Sequence, residues 1–117
     1  MAWKSELPVS KQIAEKLRLD ILSKKFLPGS QFPTVRQLAI ETSANPNTVQ
    51  KALALLESEG LLEARGTIGR FVTNDENILT ETKIKLQREY VDRILKEAET
   101  LGISKDTLIS YLKEGEN

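Results

Sequence analysis

The chain has 117 residues, enough for one domain with an appendage, and 39% of them are apolar while only 5% are aromatic. It contains no cysteine and no histidine, which excludes disulfides, thiolate or imidazole metal sites, and Ser-His-Asp or Cys-His catalysis. No segment approaches the ~20 apolar residues of a membrane helix, and residues 1–10 lack an apolar signal sequence. These absences predict a cytoplasmic protein that uses no metal and no cofactor.

The formal net charge is zero, but the charges are unevenly distributed along the chain. Residues 1–73 hold ten Lys or Arg and seven Asp or Glu, a balance of +3. Residues 74–117 hold seven Lys or Arg and ten Asp or Glu, a balance of −3. This asymmetry predicts a basic binding module in residues 1–73 and an acidic segment with a different task in residues 74–117.

Two short helices with clear N-terminal caps follow a first helix that is predicted over residues 9–24. The second helix begins after Thr34, which can form a capping box with Gln37. The third opens at Asn45-Pro46, because Asn is a favoured N-cap and Pro is favoured at the first helical position, and it ends before Gly60. Two short helices joined by a tight turn form a helix-turn-helix.

Two short strands and two further helices complete the predicted fold. The strands, residues 61–64 and 70–73, flank a loop with two glycines and form a β-hairpin, which after a helix-turn-helix is a wing. A long helix then reaches about residue 101, and Ser104 caps a last short one. The fold class is mainly α with a small β-hairpin: a winged helix-turn-helix plus a C-terminal two-helix dimerisation segment.

An apolar stripe along the long helix must be buried against another surface. The default is the same stripe of a second copy, which gives a twofold homodimer, and the alternative is that the helix folds back on its own first domain. We favour the dimer because the first domain already has a complete core pattern. The predicted dimerisation residues are Ile84, Val91, Ile94, Ala98 and Leu101.

The third helix carries polar side chains of the types that read DNA. The second helix of a helix-turn-helix lies in the major groove, with its N-terminal residues at the base edges. Asn and Gln pair with adenine, Thr contacts the thymine methyl group, and Lys meets guanine or phosphate. The N–H groups at a helix N-terminus also attract phosphate. The candidates on this helix are Asn45, Asn47, Thr48, Gln50 and Lys51.

Other candidate contacts lie on the second helix and on the wing. Arg36 is placed to meet a phosphate or a guanine, while Thr67, Gly69 and Arg70 are placed to reach the DNA backbone or the minor groove. Each residue also has a purely structural interpretation, since Asn45 is needed as a cap, Arg36 fits any exposed helix surface and the hairpin needs Gly69. The clustering of polar side chains on one face favours DNA binding.

Two other classes of function compete with DNA binding. A winged helix can serve as a protein-interaction module without nucleic acid, but this would need an apolar face where the third helix is polar. An enzyme would depend on carboxylates, of which the nearest cluster is Glu57, Glu59 and Glu63. These three residues fit a helix end and a solvated strand, so we predict that the chain is not an enzyme.

The same stretches resemble the N-terminal domain of GntR-type bacterial regulators over about residues 8–73. The similar segments are Pro8-Val9 with Gln12-Ile13, Pro28-Gly29, and the run from Phe32 to Ala39. They continue with Asn45-Pro46-Asn47-Thr48-Val49, Glu59-Gly60-Leu61 and Gly69-Arg70-Phe71-Val72. Many family members have a basic residue where Pro46 stands, and this version is similar to the YtrA-like subgroup with short C-terminal regions.

The resemblance implies a winged helix-turn-helix that binds a palindromic DNA operator as a homodimer. It further implies repression that a small molecule relieves, and for the short subgroup control of a transporter operon. It supports DNA contact by Arg36, Asn45, Asn47, Thr48 and Gln50. About 44 residues follow the winged domain, too few to enclose a ligand as larger effector domains do.

Overall fold

A computed structural model describes residues 7–115 of the chain. These residues divide into two units between Thr80 and Glu81. They form five α-helices and a two-stranded antiparallel sheet, with a short 3-10 helix, Gly66–Ile68, between the strands. In chain order the elements are α1 (Val9–Leu22), α2 (Val35–Thr42), α3 (Pro46–Ser58), β1 (Leu62–Ala64), β2 (Arg70–Val72), α4 (Glu76–Thr100) and α5 (Lys105–Glu114).

The core of the first unit lies around α3, which packs against α1, α2 and β1. Residues at helical spacing supply it, because positions three and four apart share one face of a helix. The Phe26 and Phe32 rings pack at 4.8 Å between centroids. The largest fully buried side chains are Ile13, Ile21, Leu38, Val49, Leu53, Leu56, Leu61, Val72 and Thr73.

The predicted caps set the helix boundaries. Thr34 and Gln37 form the capping box at the start of α2: the Gln37 N–H donates to Thr34 Oγ1 at 3.1 Å, and the Thr34 N–H donates to Gln37 Oε1 at 2.8 Å. Gly60, with φ +79°, follows the end of α3 in the left-handed region that glycine adopts without strain. Helix α1 ends at Leu22, before the predicted residue 24, because Lys24 has φ +68°.

A three-residue turn joins α2 to α3. Ser43 is left-handed, with φ +55°, and the Ala44 N–H donates to the Ala39 carbonyl at 3.2 Å. The hydrogen bond from Ala44 satisfies one of the last α2 carbonyls, and the left-handed Ser43 ends the helix within one residue. The turn delivers Asn45 to the N-cap of α3, so the sequence-predicted helix-turn-helix is confirmed.

The wing has a third extended segment that the sequence did not indicate. In the predicted hairpin Leu62 faces Val72 and Ala64 faces Arg70. The segment before α2 pairs with the outer edge of β2: the Phe32 N–H donates to the Arg70 carbonyl at 2.7 Å, and the Val72 N–H donates to the Ser30 carbonyl at 2.9 Å. The wing is therefore attached to the chain that enters the helix-turn-helix.

The first turn of α4 belongs to the first unit, which extends beyond residue 73. Thr73 is buried, and the Asp75 N–H donates to its hydroxyl at 3.1 Å. The Asp75 carboxylate in turn accepts from the Asn77 N–H at 2.9 Å, as an N-cap does. Leu79 is buried as well. Residues 73–77 form a polar and acidic stretch that predicts a linker and helix start, and these bonds order it at the beginning of α4.

The second unit consists of α4 from residue 81 onward and α5. The Ile103 N–H donates to the Ala98 carbonyl at 2.8 Å, and Gly102 has φ +76°, so a glycine turn ends α4. Ser104 then caps α5 by accepting from the Thr107 N–H at 3.1 Å. Both helix boundaries agree with the sequence prediction.

Candidate nucleic-acid interface

The N–H groups at the start of α3 donate hydrogen bonds to Asn45. Asn45 Oδ1 accepts from the Asn47 N–H at 2.8 Å, and the Asn45 carbonyl accepts from the N–H groups of Thr48 and Val49 at 2.9 and 3.1 Å. Pro46 has no N–H to offer. The N–H groups at this terminus therefore have partners within the chain, and the attraction of phosphate to the helix start stays a prediction. Side chains are the groups left for contacts here.

One face of α3 is buried and the opposite face is polar and exposed. The buried side consists of Val49, Ala52, Leu53 and Leu56. Asn47, Gln50 and Lys51 are exposed and Thr48 is half-buried. Within residues 7–115, no ion pair involves Lys51. Among the described residues, Lys51 thus has no acidic partner that would have to be displaced before it met a ligand.

Arg36 lies on the neighbouring helix of the same motif. It is the second residue of α2, and its side chain is exposed. Among the described residues no ion pair involves it. The structure therefore shows an exposed guanidinium, and its contact with a phosphate or a guanine stays a prediction.

The wing loop is a tight turn stabilised by backbone bonds. The Arg65 N–H donates to the Gly69 carbonyl at 2.8 Å, and Gly69 has φ +117°, which only glycine adopts without strain. Thr67 sits in the 3-10 turn and is exposed. The role of Gly69 in this structure is conformational, while Thr67 and Ile68 are side chains that the loop presents to solvent.

Two arginines bracket the wing loop and both have acidic partners. Arg65 lies 3.4 Å from Glu63 and its guanidinium stacks 4.2 Å from the centre of the Phe71 ring. Arg70 is half-buried, and its Nε donates to the Glu57 carboxylate at the end of α3. Sequence reasoning proposed Arg70 as a contact but missed this partner, because 13 residues separate the two positions.

Gln31 is another residue that sequence reasoning missed. Its Nε2 donates to the Ile68 carbonyl of the wing loop at 2.7 Å. A Cβ at Gly69 would lie 3.2 Å from the same nitrogen, so the two residues approach closely. No sequence pattern marks this contact, because 37 residues separate its partners.

The predicted dimerisation stripe on α4 is unevenly exposed within a single chain. Ile84, Val91 and Leu101 are 43%, 52% and 77% exposed, while Ile94 is half-buried and Ala98 is buried. Three large apolar side chains of α5 are also exposed: Ile109, Tyr111 and Leu112. The second unit therefore presents apolar surface on both of its helices.

The described residues hold neither a metal cluster nor a membrane span. No group of three or more His, Cys, Asp or Glu side chains within residues 7–115 is placed to hold a metal ion. None of the helices in that range is long and apolar enough to cross a membrane. An open groove does run along α4, lined by Glu81, Ile84, Lys85, Arg88, Glu89 and Asp92.

The family model for "Bacterial regulatory proteins, gntR family" matches residues 9–72, more than half of the chain. This chain belongs to the GntR family. The match covers every element of the winged helix-turn-helix from α1 to β2. It follows that the chain is a transcriptional regulator with a GntR DNA-binding domain, and its relatives are regulators rather than enzymes.

Two relatives from Bacillus subtilis (strain 168) match nearly the whole chain. The uncharacterised HTH-type transcriptional regulator YhcF is 34% identical over 111 residues, which are 95% of this chain and 92% of the relative. The HTH-type transcriptional repressor YtrA is 32% identical over 112 residues, 95% of this chain and 86% of the relative. The similarity thus extends through α4 and α5, beyond the DNA-binding domain, as the short-subgroup resemblance implied.

Solved structures support the same assignment. A GntR family transcriptional regulator from Listeria monocytogenes superposes with a TM-score of 0.89, at 25% identity, over 96% of this chain and 98% of that one. The DNA-binding domain of AraR, solved in complex with operator ORR3, matches with a TM-score of 0.56 and 30% identity, over 62% of this chain and 88% of that one. The predicted fold class, a mainly helical winged helix-turn-helix, is confirmed.

Proposed function

We propose that this GntR regulator is a homodimeric repressor that reads a palindromic operator with the exposed face of α3. One observation carries the proposal: Asn47 and Lys51 lie on the face of α3 opposite its buried side, with Gln50 beside them, and all three are exposed to solvent. These side chains match the donors and acceptors of base edges in the major groove. Thr48, half-buried at the margin of this face, would contact a thymine methyl group.

Contacts with the DNA backbone would come from residues on both sides of α3. Arg36 on α2 is exposed and unpaired among the described residues, which suits a phosphate contact that fixes the register of the protein on DNA. Asn45 uses its Oδ1 as a cap, so its amide Nδ2 is the group left for DNA. Thr67, Gly69 and Arg70 would bring the wing to the backbone or minor groove. The AraR domain solved with its operator supports this use of the fold.

The homodimer is supported by the apolar surface of the second unit. Ile84 and Val91 on α4 and Leu101, the residue after it, are exposed, and an exposed apolar stripe of this length is normally covered by a partner. Ile94 and Ala98, already partly or fully buried, would border the interface. A twofold dimer would place two copies of α3 on two half-sites, about 34 Å or a multiple of it apart.

The proposals about repression and its target genes rest on similarity to relatives. YtrA is named as a repressor, so we propose that this chain represses as well. The short-subgroup resemblance favours a transporter operon as its target and a small molecule as a possible effector. Loss of the gene should then raise transcription of such an operon, which RNA sequencing of a deletion strain measures directly.

Selection of DNA fragments by the purified protein tests the proposed function. Genomic fragments bound at physiological salt are recovered and sequenced, and we expect a common inverted repeat among them. Affinity for that repeat should fall steeply with added salt, as counterions are released from phosphate. Equal recovery of all fragments would contradict sequence-specific binding. Recovery of a single half-site without its inverted repeat would contradict the dimer but not sequence-specific binding.

A further inference from the structure

Glu57 links the two DNA-facing parts of the first unit. It lies in the last turn of α3, and its carboxylate accepts from Arg70 Nε on strand β2 of the wing. The side chains of Arg70 and Glu57 are only 21% and 30% exposed, so the pair is largely shielded from solvent. The ion pair therefore connects α3 to the wing through side chains.

The contact uses only one of the three nitrogens of Arg70. Within residues 7–115 Nε has Glu57 as its partner, and no hydrogen bond involves either Nη group. A guanidinium is planar and presents its five N–H donors in a fixed fork, so a partner at Nε also fixes the direction of the two Nη groups. Glu57 thereby sets the directions in which the two Nη groups of Arg70 can donate hydrogen bonds.

We propose that Glu57 is a positioning residue for DNA binding: it holds Arg70, and with it the wing, so that the Nη groups of Arg70 face a phosphate of the DNA backbone. The inference rests on the proposed function, which assigns Arg70 a backbone contact. Glu57 itself does not touch DNA. Its negative charge would by itself repel phosphate, so a benefit to binding can come only through Arg70.

A second side chain holds the wing from its other side. Gln31 Nε2 donates to the Ile68 carbonyl in the wing loop at 2.7 Å, and Gly69 leaves room for this approach. The backbone pairing of residues 29–32 with β2 fixes the base of the wing. These contacts hold the wing from one side, and β1 packs against α3. Glu57 adds a side-chain contact between β2 and the last turn of α3.

The end of α3 supplies a matched control. Glu59 follows the helix, and its carboxylate accepts two hydrogen bonds from Arg18 on α1, both at 2.7 Å. Replacing Glu59 by Ala removes the same charge from the same end of α3 and breaks a comparable pair, but it leaves the wing untouched. A general loss of stability or a change in local charge would therefore affect both variants.

The first experiment measures the wing without DNA, so it is independent of the proposed function. The chain has no cysteine, so Thr67→Cys introduces a single site for a nitroxide spin label on the exposed wing loop. We expect Glu57→Ala to convert the slow component of the electron paramagnetic resonance spectrum into a faster one, while Glu59→Ala leaves the spectrum unchanged. Identical spectra for the two variants would overturn the proposal.

The second experiment measures affinity for the inverted repeat recovered by DNA selection. We expect Glu57→Ala to weaken binding about fivefold, in the range of a partly exposed ion pair, although it removes a negative charge. Glu57→Gln, which keeps an oxygen acceptor for Arg70 Nε, should recover part of this loss, and Glu59→Ala should not weaken binding. In an Arg70→Ala background Glu57→Ala should cause no further loss of affinity. Unchanged or tighter binding by Glu57→Ala would overturn the proposal.

Discussion

At the scale of single residues, Asn45 has one role that the structure shows and one that we propose. Its Oδ1 caps α3 through the Asn47 N–H, and its Nδ2 is assigned to DNA. Ser is as good an N-cap as Asn, whereas Ala cannot cap at all. Substitutions at this one position can therefore separate the cap from the DNA contact.

We expect Asn45→Ala to lower the free energy of unfolding by about 1 kcal/mol, and Asn45→Ser to leave it unchanged. Urea denaturation checks both values. Both variants should bind the selected repeat more weakly than the wild type, since neither offers the amide Nδ2. Wild-type affinity of Asn45→Ser would show that capping is the whole role of this residue.

Single residues also show where sequence reasoning stops. The caps at Thr34, Asn45 and Ser104 were predictable because each capping bond spans only two or three residues. The partners of Arg70 and Gln31 lie 13 and 37 residues away. These contacts depend on how the wing packs, which no local pattern encodes. The polar face of α3 was predictable because it follows from helical periodicity alone.

At the scale of elements, α2 is a short helix whose start depends on a capping box. It has only eight residues, and helices of this length are unstable in water without caps and tertiary packing. Its position matters for function because it carries Arg36. A weakened α2 would disturb both the core, through Leu38, and the proposed phosphate contact.

We expect Thr34→Ala to lower the free energy of unfolding by about 1 kcal/mol, because the Gln37 N–H loses its side-chain partner. Thr34→Ser keeps the hydroxyl and serves as the control. Thermal denaturation followed by circular dichroism measures both. Equal melting temperatures for the Ala variant and the wild type would show that the capping box contributes nothing to stability.

The wing shows what an element-level prediction can miss. Its two strands and its loop were predictable from the pattern after Gly60, with boundaries within one residue of Leu62–Ala64 and Arg70–Val72. The pairing of residues 29–32 with β2 was not predictable, since Pro28-Gly29 marked only a turn. Strand pairing between distant segments needs the tertiary fold, so this part of the wing required the structure.

At the scale of the whole molecule, the proposed dimer would use the second unit to bring two copies of α3 together. The sequence indicated the apolar stripe on α4, and the structure adds exposed apolar residues on α5: Ile109, Tyr111 and Leu112. The stripe predicted Ala98 as an interface residue, but Ala98 is already buried within one chain. Helical periodicity predicts which face of a helix is apolar, but it does not predict which part of the protein covers that face.

We expect Val91→Asp to convert the protein to a monomer, because a carboxylate at the centre of the proposed interface would be desolvated without a partner. Light scattering after size-exclusion chromatography gives the mass. Lys96→Asp, on an exposed position of the same helix away from the stripe, is the control and should remain a dimer. A dimeric Val91→Asp variant would place the interface elsewhere.

The exposed face of α3 is proposed to read bases, and the variant Asn47→Ala shows whether it does. Wild-type protein and Asn47→Ala are titrated against the selected repeat and every single-base change in its half-site. We expect the wild type to lose about 1–3 kcal/mol of binding free energy at each contacted base. Asn47→Ala should lose this discrimination at one position of the half-site and keep it elsewhere. An unchanged profile for Asn47→Ala would contradict base reading by this face.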